Sequence, residues 1–224
     1  MVIREVVDKV DRFDRAQAYT TTPAGEFGWT IKDTSSAGTP TYLNISGRGA
    51  KLTIASTSEE EIVTLYQNDV LPFLLPKIQY VDFDLVVAGI DAVTTLVAGI
   101  ASAQADTEDS VATLAWFRME GSASTSNVVV ETDDGVTDND DVATGTTLAA
   151  VVKRFRIDFT NGLSDVRFYI DGARVAAGTT FSMASASSTQ NVQLFVQLHK
   201  ASGTGVPSVT VKRCGIQYLT ADGA

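Results

Sequence analysis

Asp82 and Asp84, in the run Gln79-Tyr-Val-Asp-Phe-Asp-Leu85, stand two residues apart. On a strand that spacing puts both carboxyl groups on one face, as a pair of acid and base groups requires. A second concentration of acid lies at 131–141, Glu-Thr-Asp-Asp-Gly-Val-Thr-Asp-Asn-Asp-Asp. Several oxygens from one flexible segment suit a hard cation such as calcium, and Asp133, Asp138 and Asp140 are the candidate ligands. The spacing departs from the EF-hand pattern, which wants Gly six positions in and a closing Glu. A solvated hairpin tip, whose acids keep strand edges from pairing, is the preferred reading, and no cofactor is expected. His199 and Cys214 are the sole histidine and cysteine. They offer no zinc set, no Cys-His pair and no internal disulfide. Cys214 reads as a core thiol, and His199 as a strand-end side chain facing water. Neither a Gly-x-Ser-x-Gly elbow nor a phosphate-cradling Gly-rich loop is present. No catalytic residue is therefore expected, and the chain is read as not an enzyme.

The elements that would position these groups are strands. In 153–175 Phe155, Ile157 and Phe159 alternate with Arg154, Arg156 and Asp158, and Val166, Phe168 and Ile170 alternate with Arg167 and Tyr169. One face is thus buried and the other wet. Asn161-Gly162 breaks the chain between them, and Asp171-Gly172 closes a second hairpin with 173–175 returning. Further strands are expected at 29–33, 42–46, 51–56, 62–67, 79–87, 94–100, 111–120, 127–131, 192–200 and 208–219. Ser58-Glu59-Glu60-Glu61 is an alternative cap for a short helix. Residues 85–101 are interrupted by Asp91 and Thr94-Thr95, and read as two strands about a turn at 89–91 rather than a membrane span. About a dozen short strands with turn signals between them predict an all-β, two-sheet antiparallel sandwich.

With 224 residues the chain is long enough for one large sandwich domain, expected at 21–224. The formal charge of −10, with 17 scattered Lys and Arg, argues against binding nucleic acid or an anionic membrane. Met1-Val-Ile runs at once into Arg4 and Glu5, leaving no apolar signal region, so a protein made and kept in a cytoplasm is expected. Aromatics able to carry a sugar are Trp29, Tyr42, Trp116, Tyr169 and Tyr218, with Trp116 read as core; a carbohydrate surface is allowed rather than indicated.

Residues 1–20 form a charged N-terminal arm. Ile3, Val6, Val7, Val10 and Phe13 fall at helical spacing, although their β-branched content also permits an extended arm. This apolar stripe is expected to bind a neighbouring protein chain, with folding back on the parent sandwich as the equal alternative.

Phe-Tyr-Ile-Asp-Gly-Ala-Arg-Val at 168–175 resembles the concanavalin-like jelly roll of laminin-G and legume-lectin domains, which implies that fold but no single function. Jelly-roll β-glucanases resemble 79–87 locally through a Glu-x-Asp-x-x-Glu strand. Here Asp82 stands at the first Glu and Val87 at the second, so one of the two carboxyl groups is missing. A further likeness rests on Val130-Glu-Thr-Asp-Asp-Gly, Asp138-Asn-Asp-Asp, Lys153-Arg-Phe, Gly162-Leu-Ser-Asp-Val-Arg-Phe, Thr179-Thr-Phe-Ser-Met and Gln193-Leu-Phe-Val-Gln-Leu-His-Lys-Ala-Ser. These segments, from about residue 65 to 219, resemble jelly-roll structural proteins of tailed bacteriophages. That resemblance implies a virion location and a head decoration (cement) protein, oligomeric and docked on a major capsid protein. The alternative is a carbohydrate- or receptor-binding module of a fibre or tail.

Overall fold

A computed structural model describes residues 5–14, 19–45, 49–121 and 127–220. Among them are sixteen strands and two single turns of 3-10 helix, at Leu75–Lys77 and Glu108–Ser110. The strands are β1 (Val6–Asp11), β2 (Thr30–Asp33), β3 (Thr41–Ile45), β4 (Gly49–Thr53), β5 (Glu61–Tyr66), β6 (Phe73–Leu74), β7 (Ile78–Ala88) and β8 (Thr94–Ala101). They continue as β9 (Leu114–Glu120), β10 (Asn127–Asp133), β11 (Asp138–Thr147), β12 (Lys153–Asp158), β13 (Arg167–Ile170), β14 (Ala173–Val175), β15 (Asn191–Lys200) and β16 (Ser208–Leu219). One antiparallel sheet runs β14-β13-β12-β7-β16-β4-β3, with β1 also paired to β16; the other runs β11-β10-β9-β8-β15-β5-β2, with β6 paired to β15. The expected all-β two-sheet sandwich is what the chain forms.

The core lies between the sheets. Phe155 pairs with Ile170 and Ile157 with Phe168 across β12 and β13, so the apolar alternation faces inward from both strands. Phe117 of the opposite sheet meets Phe155 at 5.0 Å and Phe168 at 5.3 Å between ring centroids, and Phe168 meets Phe181 at 5.0 Å. These edge-to-face contacts tie the two sheets together. Asp171 (φ 51°) and Gly172 (φ 84°) both take the left-handed conformation that a tight two-residue hairpin turn requires. Cys214 is buried in this core.

The N-terminal segment departs from its helical spacing. Val6–Asp11 is a strand, paired from Val6 with Leu219 to Asp11 with Cys214. A strand turns successive side chains to opposite faces, so the stripe divides. Val6 stays 55% exposed, Val7 and Val10 are half-buried, and Phe13 enters the chain's own core beside Tyr19 and Trp29. Phe13 is therefore a core residue and not a contact for a neighbouring chain; Ile3 lies outside the described residues. Asp11 fixes the entry. Its carboxylate accepts from the Phe13 amide at 2.8 Å, the Glu26 amide at 3.1 Å and the Trp29 indole at 3.2 Å.

Two local readings are also corrected. Ser58-Glu61 caps no helix, because Glu61 opens β5 and is fully buried. The stretch beyond the acidic turn becomes the edge strand β11, mostly polar and alternating between exposed and half-buried, with Val142 as its one apolar side chain against the core.

Candidate functional site

The outward face of the β7-β12-β13 ladder carries the charge that the core excludes. Register places Arg156 opposite Asp82, Arg154 opposite Asp84 and Asp158 opposite Tyr80, while Tyr169 lies across from Arg156 on the other side. Asp84, Val152, Arg154, Arg156, Asp158, Tyr169, Asp171 and Gly172 line an open depression of about 740 Å³. That volume is in the range of small-molecule sites.

Each charge here except Asp158 is held from another strand. Asp82, only 1% exposed, accepts from Arg213 of β16 at 2.6 Å and from Arg156 at 3.3 Å. Gly215 makes that carboxylate possible, since a Cβ there would stand 2.4 Å from Asp82 Oδ1. Arg156 in turn lies over the Tyr80 ring at 4.0 Å. Asp84 takes two bonds from Arg154, at 2.8 and 3.2 Å. The Asp171 carboxylate accepts from the Arg154 amide at 2.9 Å and from Lys153 at 3.0 Å. The exposed pairs Arg154–Asp84 and Lys153–Asp171 add little stability, but they preset side-chain directions. Asp82 and Asp84 do share a face, as their spacing requires, yet Asp82 is committed to Arg213 and Arg156, and Asp84 to Arg154, rather than to each other. Tyr169 is the aromatic among the five candidates that reaches this depression. Trp29 and Trp116 are buried, and Tyr42 and Tyr218 pack against the core. Arg154, Arg156 and Asp158 read in sequence only as the wet side of a strand; the register that sets Arg156 beside Tyr169, and all three against Asp84, Asp82 and Tyr80, belongs to the tertiary structure.

The acidic segment spans the end of β10, a turn and the start of β11. Asp133 accepts from the Gly135 amide at 2.7 Å, and Asp134 accepts from Thr137 at 2.7 Å, Val136 at 3.0 Å and Ser185 at 2.8 Å. These two acids shape the turn. The carboxylate oxygens that gather within 4.8 Å of one another belong to Glu131, Asp140 and Asp141. Of the expected calcium ligands only Asp140 joins that group, but Asp133, Asp138 and Asp140 all line one small acidic pocket together with Glu131 and Asp109. Arg118 is the cation among these acids, 3.1 Å from Glu131, 3.2 Å from Asp109 and 3.6 Å from Asp141. Burial first, then the hydrogen bond with Asp141, pushes the Glu131 carboxyl up to about 8; Trp116 and Arg118 act in the opposite sense.

His199 is not a free strand-end side chain. Its ring nitrogens lie 3.3 Å from Glu108 and 3.2 Å from Glu60, so it joins the connection that precedes β5 to the one between β8 and β9. The Glu108 connection, 102–113, folds across a second apolar cluster that contains Tyr66, Trp116 and Phe195. Glu108 first, against the cost of burial, and then Glu60 raise the His199 pKa. The proton-bound form is thus favoured by folding: its contribution is complete below the unfolded value near 6.5 and fades as pH rises through the folded value. Amide exchange across 107–113, corrected for intrinsic rates, is expected to be slower at about pH 5.5 than at about pH 8.5. In His199→Gln the difference between the two conditions should vanish. An unchanged difference in that variant would mean that His199 does not hold the connection.

No protein-family model matches the chain, and no curated protein matches it. Solved structures do. A structure described with endo-acting O-glycanases of prominent human gut microbiota members is similar at TM-score 0.60 and 12% identity, over 95% of this chain and 99% of that one. The carbohydrate recognition domain of Emp47p matches at TM-score 0.59 and 8% identity, over 96% and 95%. A GH16 protein of a Bacteroides ovatus mixed-linkage glucan locus, solved with its product, matches at TM-score 0.57 and 10% identity, over 93% and 99%. The reading of this chain as not an enzyme is corrected by the comparisons with the O-glycanase and GH16 structures. It rested on Val87 replacing a glutamate and on missing nucleophile motifs, whereas the same architecture, over nearly its whole length, is carried by a GH16 protein bound to product. A motif absent from β7 excludes nothing about carboxyl groups elsewhere, and Glu131 with Asp140 and Asp141 is such a set on the other sheet. What the likenesses establish is architecture: this chain has the concanavalin-like jelly-roll fold, shared with carbohydrate-binding and GH16 domains.

Proposed function

We propose that the chain is a carbohydrate-binding jelly-roll module, with the sugar seated in the depression over β7, β12 and β13. The observation that carries this is Tyr169 beside Arg154, Arg156, Asp84 and Asp158, all fixed on strands or cross-strand ion pairs. A sugar ring needs an apolar face to lie on and preset donors and acceptors for its hydroxyls, and this surface supplies both. The named carbohydrate recognition domain and the glycan-processing proteins of the same architecture support the reading. The sequence likeness to tailed-phage structural proteins supports presentation on a virion, in a fibre or tail. Capsid cementing rests on that likeness alone and yields to the carbohydrate reading.

Binding to an array of oligosaccharides, followed by calorimetry on each hit, tests it. Tyr169→Ala is expected to weaken binding about tenfold or more, the scale of losing one central contact, with an unchanged melting temperature. Val136→Ala, at a site 80% exposed on the other sheet's hairpin, should leave binding intact. A glycan that binds Tyr169→Ala as well as the parent protein would remove the site.

A further inference from the structure

We infer that this site selects an uncharged, hydroxyl-rich glycan and rejects uronate, sialate or sulfate groups. The inference rests on the carbohydrate reading and adds the class of sugar. Capturing an anionic sugar takes a cation that is not already neutralised. Every cation at the depression has its carboxylate. Arg154 is spanned by Asp84, Arg156 and Arg213 share buried Asp82, and Lys153 is bound by Asp171. Beyond the rim, Arg167 and Arg174 both turn to Asp165, at 2.6 and 3.9 Å. The acid left over is Asp158. One of its oxygens accepts from the Thr160 amide at 2.9 Å and hydroxyl at 2.5 Å, and no cation pairs with it among the described residues.

Such a surface offers hydroxyls the two things they use. The guanidinium edges donate, Asp158 accepts, and neither must first give up a water-stabilised charge to an ionic ligand. An anionic sugar would instead stand against Asp158 and Asp84, within a chain whose net charge is −10, and would be repelled. The two arginines line the wall by number, but their charge is spent on the protein's own acids.

Dextran, galactan and mannan oligosaccharides, each with carboxymethylated and sulfated derivatives of equal length, supply the probes. Titration at low salt and again at about 0.5 M salt separates hydrogen bonding from ion attraction, since screening weakens only the latter. The expected result is that a neutral probe binds with little salt dependence, its derivatives bind at least about tenfold more weakly, and Asp158→Asn narrows that gap. If a derivative binds as tightly as its parent, and that binding is lost in Tyr169→Ala, the neutral-sugar inference is overturned while the carbohydrate site stands. If none of the probes binds, or binding ignores Tyr169→Ala, the site reading falls and this inference falls with it.

Discussion

Lys200→Met is expected to destabilise the protein by about 3–5 kcal/mol, because it leaves a fully buried carboxylate without its cation. Lys200 and Glu61 both have no measurable exposure. The ammonium donates to the carbonyl oxygens of Ala55 and Thr57, at 2.6 and 2.7 Å, and to Glu61 at 2.9 Å. Glu61 also accepts from the Ala55 amide at 2.9 Å and the Thr57 hydroxyl at 2.5 Å. All three ammonium protons and most of the carboxylate capacity are therefore used, and methionine replaces none of them. Gly38 shows how closely the site is enclosed: a Cβ there would stand 2.7 Å from Thr57 Oγ1 and 2.8 Å from the Glu61 carboxyl carbon. Burial pushes the Glu61 carboxyl up, but the bonds from Thr57, Lys200 and Ala55 outweigh it and leave the group below its usual range. The resulting stabilisation is present above the unfolded pKa near 4.3 and is lost as pH falls through the folded value. Urea unfolding at neutral pH checks the size of the effect. The paired change Lys200→Met with Glu61→Leu should recover most of the loss; a single variant within about 1 kcal/mol of the parent would show that the pair is not structural.

Phe168→Ala is the second large effect, again about 3–5 kcal/mol, and for a chain of this size a fall in melting temperature of about 10 °C. The ring is fully buried and touches Phe117 on the facing sheet and Phe181 on the covering segment. Its removal opens a cavity where neither sheet can move in without breaking the ladder from Ile157 to Val175. Calorimetric melting of the variant decides it, and a shift of only about 1–2 °C would mean that the sheets repack around the void.

These two sites differ in how far they could be read in advance. The inward face of Phe155, Ile157, Phe168 and Ile170 follows from alternation over a few residues, and the turn at Asp171-Gly172 from the tolerance of its residues for positive φ. Both signals are local, and a strand cannot shift by one residue without exposing the whole set. The likeness carried by 168–175 pointed to the concanavalin-like fold on the same local evidence. The Lys200–Glu61 pair, 139 residues apart, left no such trace, and Glu61 instead suggested a helix cap.

The sequence by itself determined an all-β sandwich, most of its strands and which face of each strand is dry, because those follow from period-two patterning and turn chemistry. The tertiary structure decided the rest. Val6–Asp11 is a strand because its backbone donors and acceptors meet β16, more than 200 residues later. His199 is clamped because two connections, each far away in sequence, bring Glu60 and Glu108 to it. The candidate sugar site exists because register sets Asp82 and Asp84 against Arg156 and Arg154, and Tyr169 beyond them. Each of these is a meeting of groups distant along the chain, and such meetings are set by which strands pair and in what register, neither of which residue patterning within one strand encodes.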